Sequence, residues 1–144
     1  PDFVEMAGTL RSLNPETRQA MQDAIDRIVK CCAEAMRGHG EVTWEKGMPP
    51  LVNDETVIDR LQAAAEKTIG TDHVVTIQNP SLGSEDFSYL FPEYGPGAQF
   101  RLGSGNNTDP NTRHGLHNSK NVFDDSCLMA GASVLVQFTR DFLK

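Results

Sequence analysis

Three cysteines in 144 residues are too few, and odd in number, for a disulfide framework. Cys31 and Cys32 adjoin within a helical pattern and Cys127 stands apart, which points to a reducing, cytoplasmic compartment. No apolar run is long enough to span a bilayer, and no stretch has the layout of a signal peptide, so no membrane partner is expected. Lys and Arg total 13 against 20 Asp and Glu, for a net charge of −7, and they form no basic stripe. That distribution excludes nucleic acid as a partner. Internal repeats and low-complexity tracts are absent as well. What is present, 38% apolar and 23% charged residues, describes a soluble globular chain with room for one ordinary domain or two small pieces. The sequence opens Pro1-Asp2 without an initiator Met: either the Met was removed or these residues lie inside a longer polypeptide.

Val4, Met6 and Leu10 alternate with polar neighbours, the period-2 pattern of a half-buried strand. Asn14-Pro15-Glu16 supplies a cap, a Pro at the first helical position and a first-turn acid. Met21, Ile25, Ile28, Val29, Cys32 and Met36 follow at helical spacing, and Gly38 or Gly40 should end the helix. Val42 and Trp44 suggest a short strand. This strand–helix–strand is half of a ferredoxin-like sandwich, without the strands that would complete its sheet.

Gly47-Met48-Pro49-Pro50 is stiff and extended and marks a boundary, giving regions 1–48 and 49–144. Asn53 or Asp54 then caps a second helix that ends at Gly70. Val74 to Ile77 reads as a strand, Ser84 as the cap of a short helix, and Ala98, Phe100 and Leu102 as another strand. After a polar loop from Asn106 to Asn121, Asp124 or Asp125 caps a last helix with Leu128, Ala132, Leu135, Phe138 and Phe142 on its buried face. The alternation predicts a layered α/β arrangement.

Candidate chemistry is sparse. His117 lies in a Gly-containing polar loop just ahead of an apolar helix, a setting suited to metal and catalytic histidines. His114 and His117 stand at i, i+3, but spacing offers no third ligand except Asp124 and Asp125, which serve better as caps. Glu85 and Asp86 follow a Gly-Ser turn. They could orient a metal-bound His or move a proton, although first-turn acids more commonly complement the helix dipole. Arg11 could clamp a carboxylate through both guanidinium nitrogens. Asn53 could bind substrate, with capping its commoner role. Ser81, Ser84 and Cys127 have no His and acid at a spacing that suggests a nucleophilic triad. Gly103-Ser104-Gly105-Asn106 opens no helix and so is no phosphate cradle.

Taken in order, Gly8-Thr9-Leu10-Arg11, Pro49-Pro50-Leu51-Val52-Asn53-Asp54, Gly83-Ser84-Glu85-Asp86-Phe87, and Leu116-His117-Asn118 before Phe123-Asp124-Asp125 make a pattern that none makes alone. Together they resemble the hippurate hydrolase and N-acyl-amino-acid amidohydrolase branch of the dinuclear aminoacylase and carboxypeptidase family. The resemblance implies a metal-binding α/β catalytic domain interrupted by a ferredoxin-like lid that usually forms a homodimer contact. Residues 1–48 then correspond to the second half of the lid, and residues 49–144 to the C-terminal part of a layered, zinc-peptidase-like catalytic domain. Two divalent ions, zinc, manganese or cobalt, are implied in the whole enzyme. Of their ligands only the C-terminal His carries over, onto His117, and no residue of the catalytic pair is present. Glu85 and Asp86 correspond to residues lining the active site, and Arg11 and Asn53 to candidates for holding the substrate carboxylate. Ser119 stands where relatives often carry Pro.

The reaction so implied is hydrolysis of an N-acyl amino acid or small peptide by metal-activated water. These residues alone, lacking the upstream ligands, are expected to be inactive and to hold no metal tightly, with the N-terminal part of the same protein as their partner. The alternative is a non-enzymatic dimerisation or regulatory module built on residues 3–45.

Overall fold

Asn14 starts the first helix, α1 (Pro15–Ala35), in the way its chemistry allows: its Oδ1 accepts from the Thr17 amide at 2.7 Å, and Pro15 has no amide to leave unpaired. The far end does not wait for a glycine. Arg37 takes the left-handed conformation at φ 60°, so its own amide reaches the Glu34 carbonyl (3.0 Å) and the Gly38 amide reaches that of Ala33 (2.8 Å). These paired bonds satisfy carbonyls that the helix end would otherwise leave open.

The computed structural model describes residues 2–144, which divide into two compact units: residues up to Val52 together with Ile77–Gly95, and Asn53–Thr76 together with Pro96–Lys144. In the first unit the chain after α1 doubles back along it. A Cβ on Gly40 would lie 2.9 Å from Val29 Cγ1, Trp44 Nε1 donates to Asp26 Oδ1 (2.9 Å), and Arg18 Nη2 donates to the Met48 carbonyl (2.8 Å). Among the described residues none of α1 is buried, and Ile28 on its apolar face is half exposed.

In the second unit Asp54 caps α2 (Glu55–Ile69) through the Val57 amide (3.0 Å), and Gly70, at φ 88°, ends it. It packs against α4 (Cys127–Phe142). Leu61, Ala64 and Val134 form the buried core. Lys67 reaches Asp141 at 3.2 Å and Arg60 lies over the Phe142 ring. The buried side of α4 is set by its small residue: Gly131 sits where an added Cβ would come within 2.8 Å of Leu102. The expected face through Leu128, Leu135 and Phe142 is instead more than half exposed. Apolar residues surround α4 on several sides, so periodicity alone does not choose the side on which the chain can approach closely.

Segments 4–10, 42–44, 74–77 and 98–102, which their patterns suggested as strands, carry no regular secondary structure, and among the described residues no strand forms. A strand exists through a neighbour's amides and carbonyls, and the long-range backbone bonds here are isolated ones, such as Asp54 to Gly97 (2.9 Å) and Asp124 to Ser104 (3.0 Å). Among the described residues the fold is therefore helical with irregular connections, and neither the expected sheet layer nor the half-sandwich is seen there. No helix among the described residues is long and apolar enough to cross a membrane.

Candidate functional site

Each unit carries part of the candidate set. In the first, Arg11 Nη1 donates to the Leu82 carbonyl (3.0 Å) and to Ser84 Oγ (3.1 Å), residues more than seventy positions away. The expected helix cap Ser84 is thus bonded to Arg11, and Glu85 takes the capping place: its Oε1 accepts from the Phe87 amide (3.3 Å) at the start of a 3-10 turn, Asp86–Tyr89. That turn runs into the short helix α3 (Leu90–Tyr94), where Phe87 and Phe91 pack edge to face. Ser88, 2% exposed, has no hydrogen-bond partner for its hydroxyl among the described residues. Arg11 is thus bonded to the loop that carries Glu85 and Asp86.

In the second unit Asn53 is half-buried, and both ends of its amide are engaged. Its Nδ2 donates to the Gln99 carbonyl (2.9 Å) and its Oδ1 accepts from the Gln99 amide (2.8 Å), as a paired peptide would. Next to it Asp54, not Asn53, caps the helix.

The polar loop ahead of α4 is fastened internally. Asn106 Oδ1 accepts from the amides of Thr108 (2.9 Å) and Asp109 (2.8 Å), while its Nδ2 donates to Asp124 Oδ2 (2.7 Å). Asp109 starts another 3-10 turn, Pro110–Arg113, by accepting from the Asn111 amide (2.9 Å). Asp124 Oδ1 in turn accepts from the Ser126 amide (2.9 Å). The bonds from Asn106 and Ser126 hold the Asp124 carboxyl below the ordinary carboxylate value. Asp124 therefore shapes the approach to α4 one turn before it starts, instead of capping it directly.

His117 lies at the tip of this loop. Its backbone is left-handed, φ 66°, which is uncommon for a residue with a Cβ. The turn beyond it is closed by Asn118, whose side chain accepts from the Lys120 amide (2.9 Å) and whose carbonyl accepts from the Asn121 amide (3.0 Å). The imidazole is exposed and bonds to none of the described residues, and His114 is exposed too. Among the described residues no group of three or more His, Cys, Asp or Glu side chains could hold a metal ion. A dinuclear centre needs several donors converging on each ion. One lone imidazole does not fit that requirement, so no step through a metal is derived from these residues.

Across the chain, residues 6–141 match the peptidase family M20/M25/M40. The chain belongs to that family. A Synechocystis sp. protein named as a probable hydrolase is 37% identical over 93% of this chain and 34% of its own length. Thermostable carboxypeptidase 1 of Saccharolobus solfataricus is 34% identical over 92% of the chain and 32% of its own length. The N-acetyl-L-cysteine deacetylase of Bacillus subtilis is 27% identical over 99% of the chain and 32% of its own length. The chain thus spans about a third of the length of the curated relatives it matches. No solved structure matches it. M20 peptidases are generally metal-dependent.

The Asn106 network went unread in the sequence, although Asn106-Asn107-Thr108-Asp109-Pro110 announces it: Asn and Asp side chains bond to amides two residues on, and Pro fixes the turn that follows.

Proposed function

We propose that this chain is the C-terminal part of a metal-dependent amidohydrolase that cleaves the amide bond of N-acyl amino acids, hippurate-like substrates among them. The observation that carries the reading is His117: in a chain of this family, an exposed imidazole with no partner among the described residues stands on a left-handed turn between two fastened loop stems. Strained backbone of this kind collects at functional sites. On this reading His117 supplies one ligand to a centre of two divalent ions, zinc, manganese or cobalt, and residues elsewhere in the protein supply the rest. On the same reading Glu85 and Asp86 would line the active site, and Arg11 and Asn53 would hold the substrate carboxylate. Residues 1–48 then act as the second half of a lid through which the enzyme dimerises, and 49–144 as the end of a layered α/β catalytic domain in a cytoplasmic protein.

The test uses the complete polypeptide encoded around these residues. Hydrolysis of hippurate and bound metal are measured together for the wild type and for His117→Ala. The proposal expects the substitution to lower both, by orders of magnitude in activity. Unchanged metal content in a folded variant would remove His117 from the ligand set. Absence of upstream His and carboxylate ligands from the gene product would sink the enzyme reading and favour a non-enzymatic dimerisation module.

A further inference from the structure

Both stems of the loop that carries His117 converge on a single residue. On the descending side, the Asn106 amide donates to Thr112 Oγ1 (3.0 Å), and Arg113 Nε donates to the Asn106 carbonyl (3.0 Å). On the returning side, Asn106 Nδ2 donates to Asp124 Oδ2 (2.7 Å). Thr112 is itself buried, 7% exposed, and its hydroxyl donates to the Asp109 carbonyl (2.7 Å). One further bond ties stem to stem, Val122 amide to Asn111 carbonyl (3.3 Å). Gly105, beside Asn106, stands where a Cβ would be 3.1 Å from the Thr112 carbonyl, so the stems are closely seated there.

We infer that Asn106 is the positioning residue of the His117 loop, fastening residues 112–113 and 124 so that the left-handed turn at 117 is held in one place. Residues 114–121 make few bonds to anything outside themselves, so their placement depends on the stems. Of the three polar functions of Asn106, the carboxamide joins most partners and spans the gap to Asp124. The charged groups bonded into or flanking this knot are Asp109, Arg113 and Asp125. Asp124 accepts as a carboxylate, and a bond to an ionised acceptor is stronger than one between neutral groups.

The inference rests on the reading of His117 given above for its importance to function, but its test does not use activity. In the 144-residue chain, tryptic cleavage after Lys120 and the amide exchange of residues 112–126 report the order of the loop. Asn106→Asp puts a second carboxylate against Asp124, and loop cleavage should rise roughly tenfold, the effect of losing one charge-assisted bond. Combining it with Asp124→Asn exchanges donor and acceptor: Asn at 124 can donate to Asp at 106 and still accept from the Ser126 amide. The double variant should return to near the wild-type rate, which a general loss of stability would not do. A folded Asn106→Asp chain cleaved at the wild-type rate overturns the inference. So does a folded double variant cleaved as fast as Asn106→Ala, and this comparison decides the matter if the single Asp variant does not fold. In the complete enzyme, a loosened loop with unchanged metal content would sink the proposed role of His117 while leaving that of Asn106 standing.

Discussion

Asn53 and Gln99 hydrogen-bond to each other as two paired peptides do, the side-chain amide of Asn53 standing in for a strand: Oδ1 accepts from the Gln99 amide at 2.8 Å and Nδ2 donates to its carbonyl at 2.9 Å. Together with the Asp54 amide on the Gly97 carbonyl, they dock residues 97–99 beside the start of α2. Asn53→Ala should lower stability by about 1–3 kcal/mol, the cost of leaving half-buried backbone groups without partners. Asn53→Asp should cost more near neutral pH, since its carboxylate would face the Gln99 carbonyl. Urea unfolding of the 144-residue chain measures both, and wild-type midpoints would reassign Asn53 to substrate alone.

Arg11 uses Nη1 on Leu82 and Ser84, and no protein partner takes its Nη2 and Nε among the described residues. A guanidinium can therefore hold this loop and still offer a fork to a carboxylate. In the complete enzyme, Arg11→Ala should reduce the preference for an N-acyl amino acid over its neutral amide by roughly tenfold or more, as for a lost charged hydrogen bond. Exchange of the amides in 82–86 should quicken as well. An equal loss for the two substrates would leave Arg11 as a loop latch without substrate contact.

Local signals in the sequence were read correctly where the chain itself contains both partners. Asn14-Pro15-Glu16 starts α1, and Gly70 closes α2. The segments around Val4, Val42 and Val74 carry strand patterns, but pairing is a property of two segments, and none of them pairs among the described residues. The buried side of α4 was misread because Gly131 counts for little in a hydrophobic pattern, while in three dimensions it lets Leu102 approach. His117 stood out as a residue type in a loop. Its left-handed backbone and the Asn106 knot that frames it are consequences of bonds between residues up to eighteen apart, which no local window displays.

Arg37 bears the left-handed position at the end of α1 that glycine fills most easily. Arg37→Gly should therefore raise stability by about 0.5–1 kcal/mol, net of the extra freedom that glycine has when unfolded. The shift in urea midpoint of this chain is the measure. A loss of stability would show that the Arg37 side chain supplies a contact worth more than the strain.

Asp124, through its bonds to Asn106 and Ser126, and Asp141, through Gln137 and then Lys67, both lie below the ordinary value of 3.8 in the folded chain. The folded form holds its protons less tightly than the unfolded form at these groups. Their contribution is then fully present above the unfolded value and is lost as pH falls through the folded one. Stability should decline from about pH 4 downward, with a shallower acid limb in Asp124→Asn and in Asp141→Asn. Asp141 is exposed and Asp124 only partly buried, so the change should be small and the Lys67 part of it should weaken in salt. An acid limb unaltered in both variants would mean that other groups govern acid unfolding.

His117 separates what the loop needs from what the site needs. Its imidazole bonds to none of the described residues, so His117→Ala should leave the stability of the 144-residue chain within about 0.5 kcal/mol, as at an ordinary surface position. His117→Gly should stabilise it by about 0.5–1 kcal/mol, because glycine takes a φ of 66° without strain. If folding alone would favour glycine there, the proposed metal ligation gives the imidazole a reason to stand at this position. In the complete enzyme both variants should lose metal alike, even though one of them folds better than the wild type. If His117→Gly instead destabilises the isolated chain by more than about 1 kcal/mol, the imidazole packs against the loop, and its presence there needs no metal to explain it.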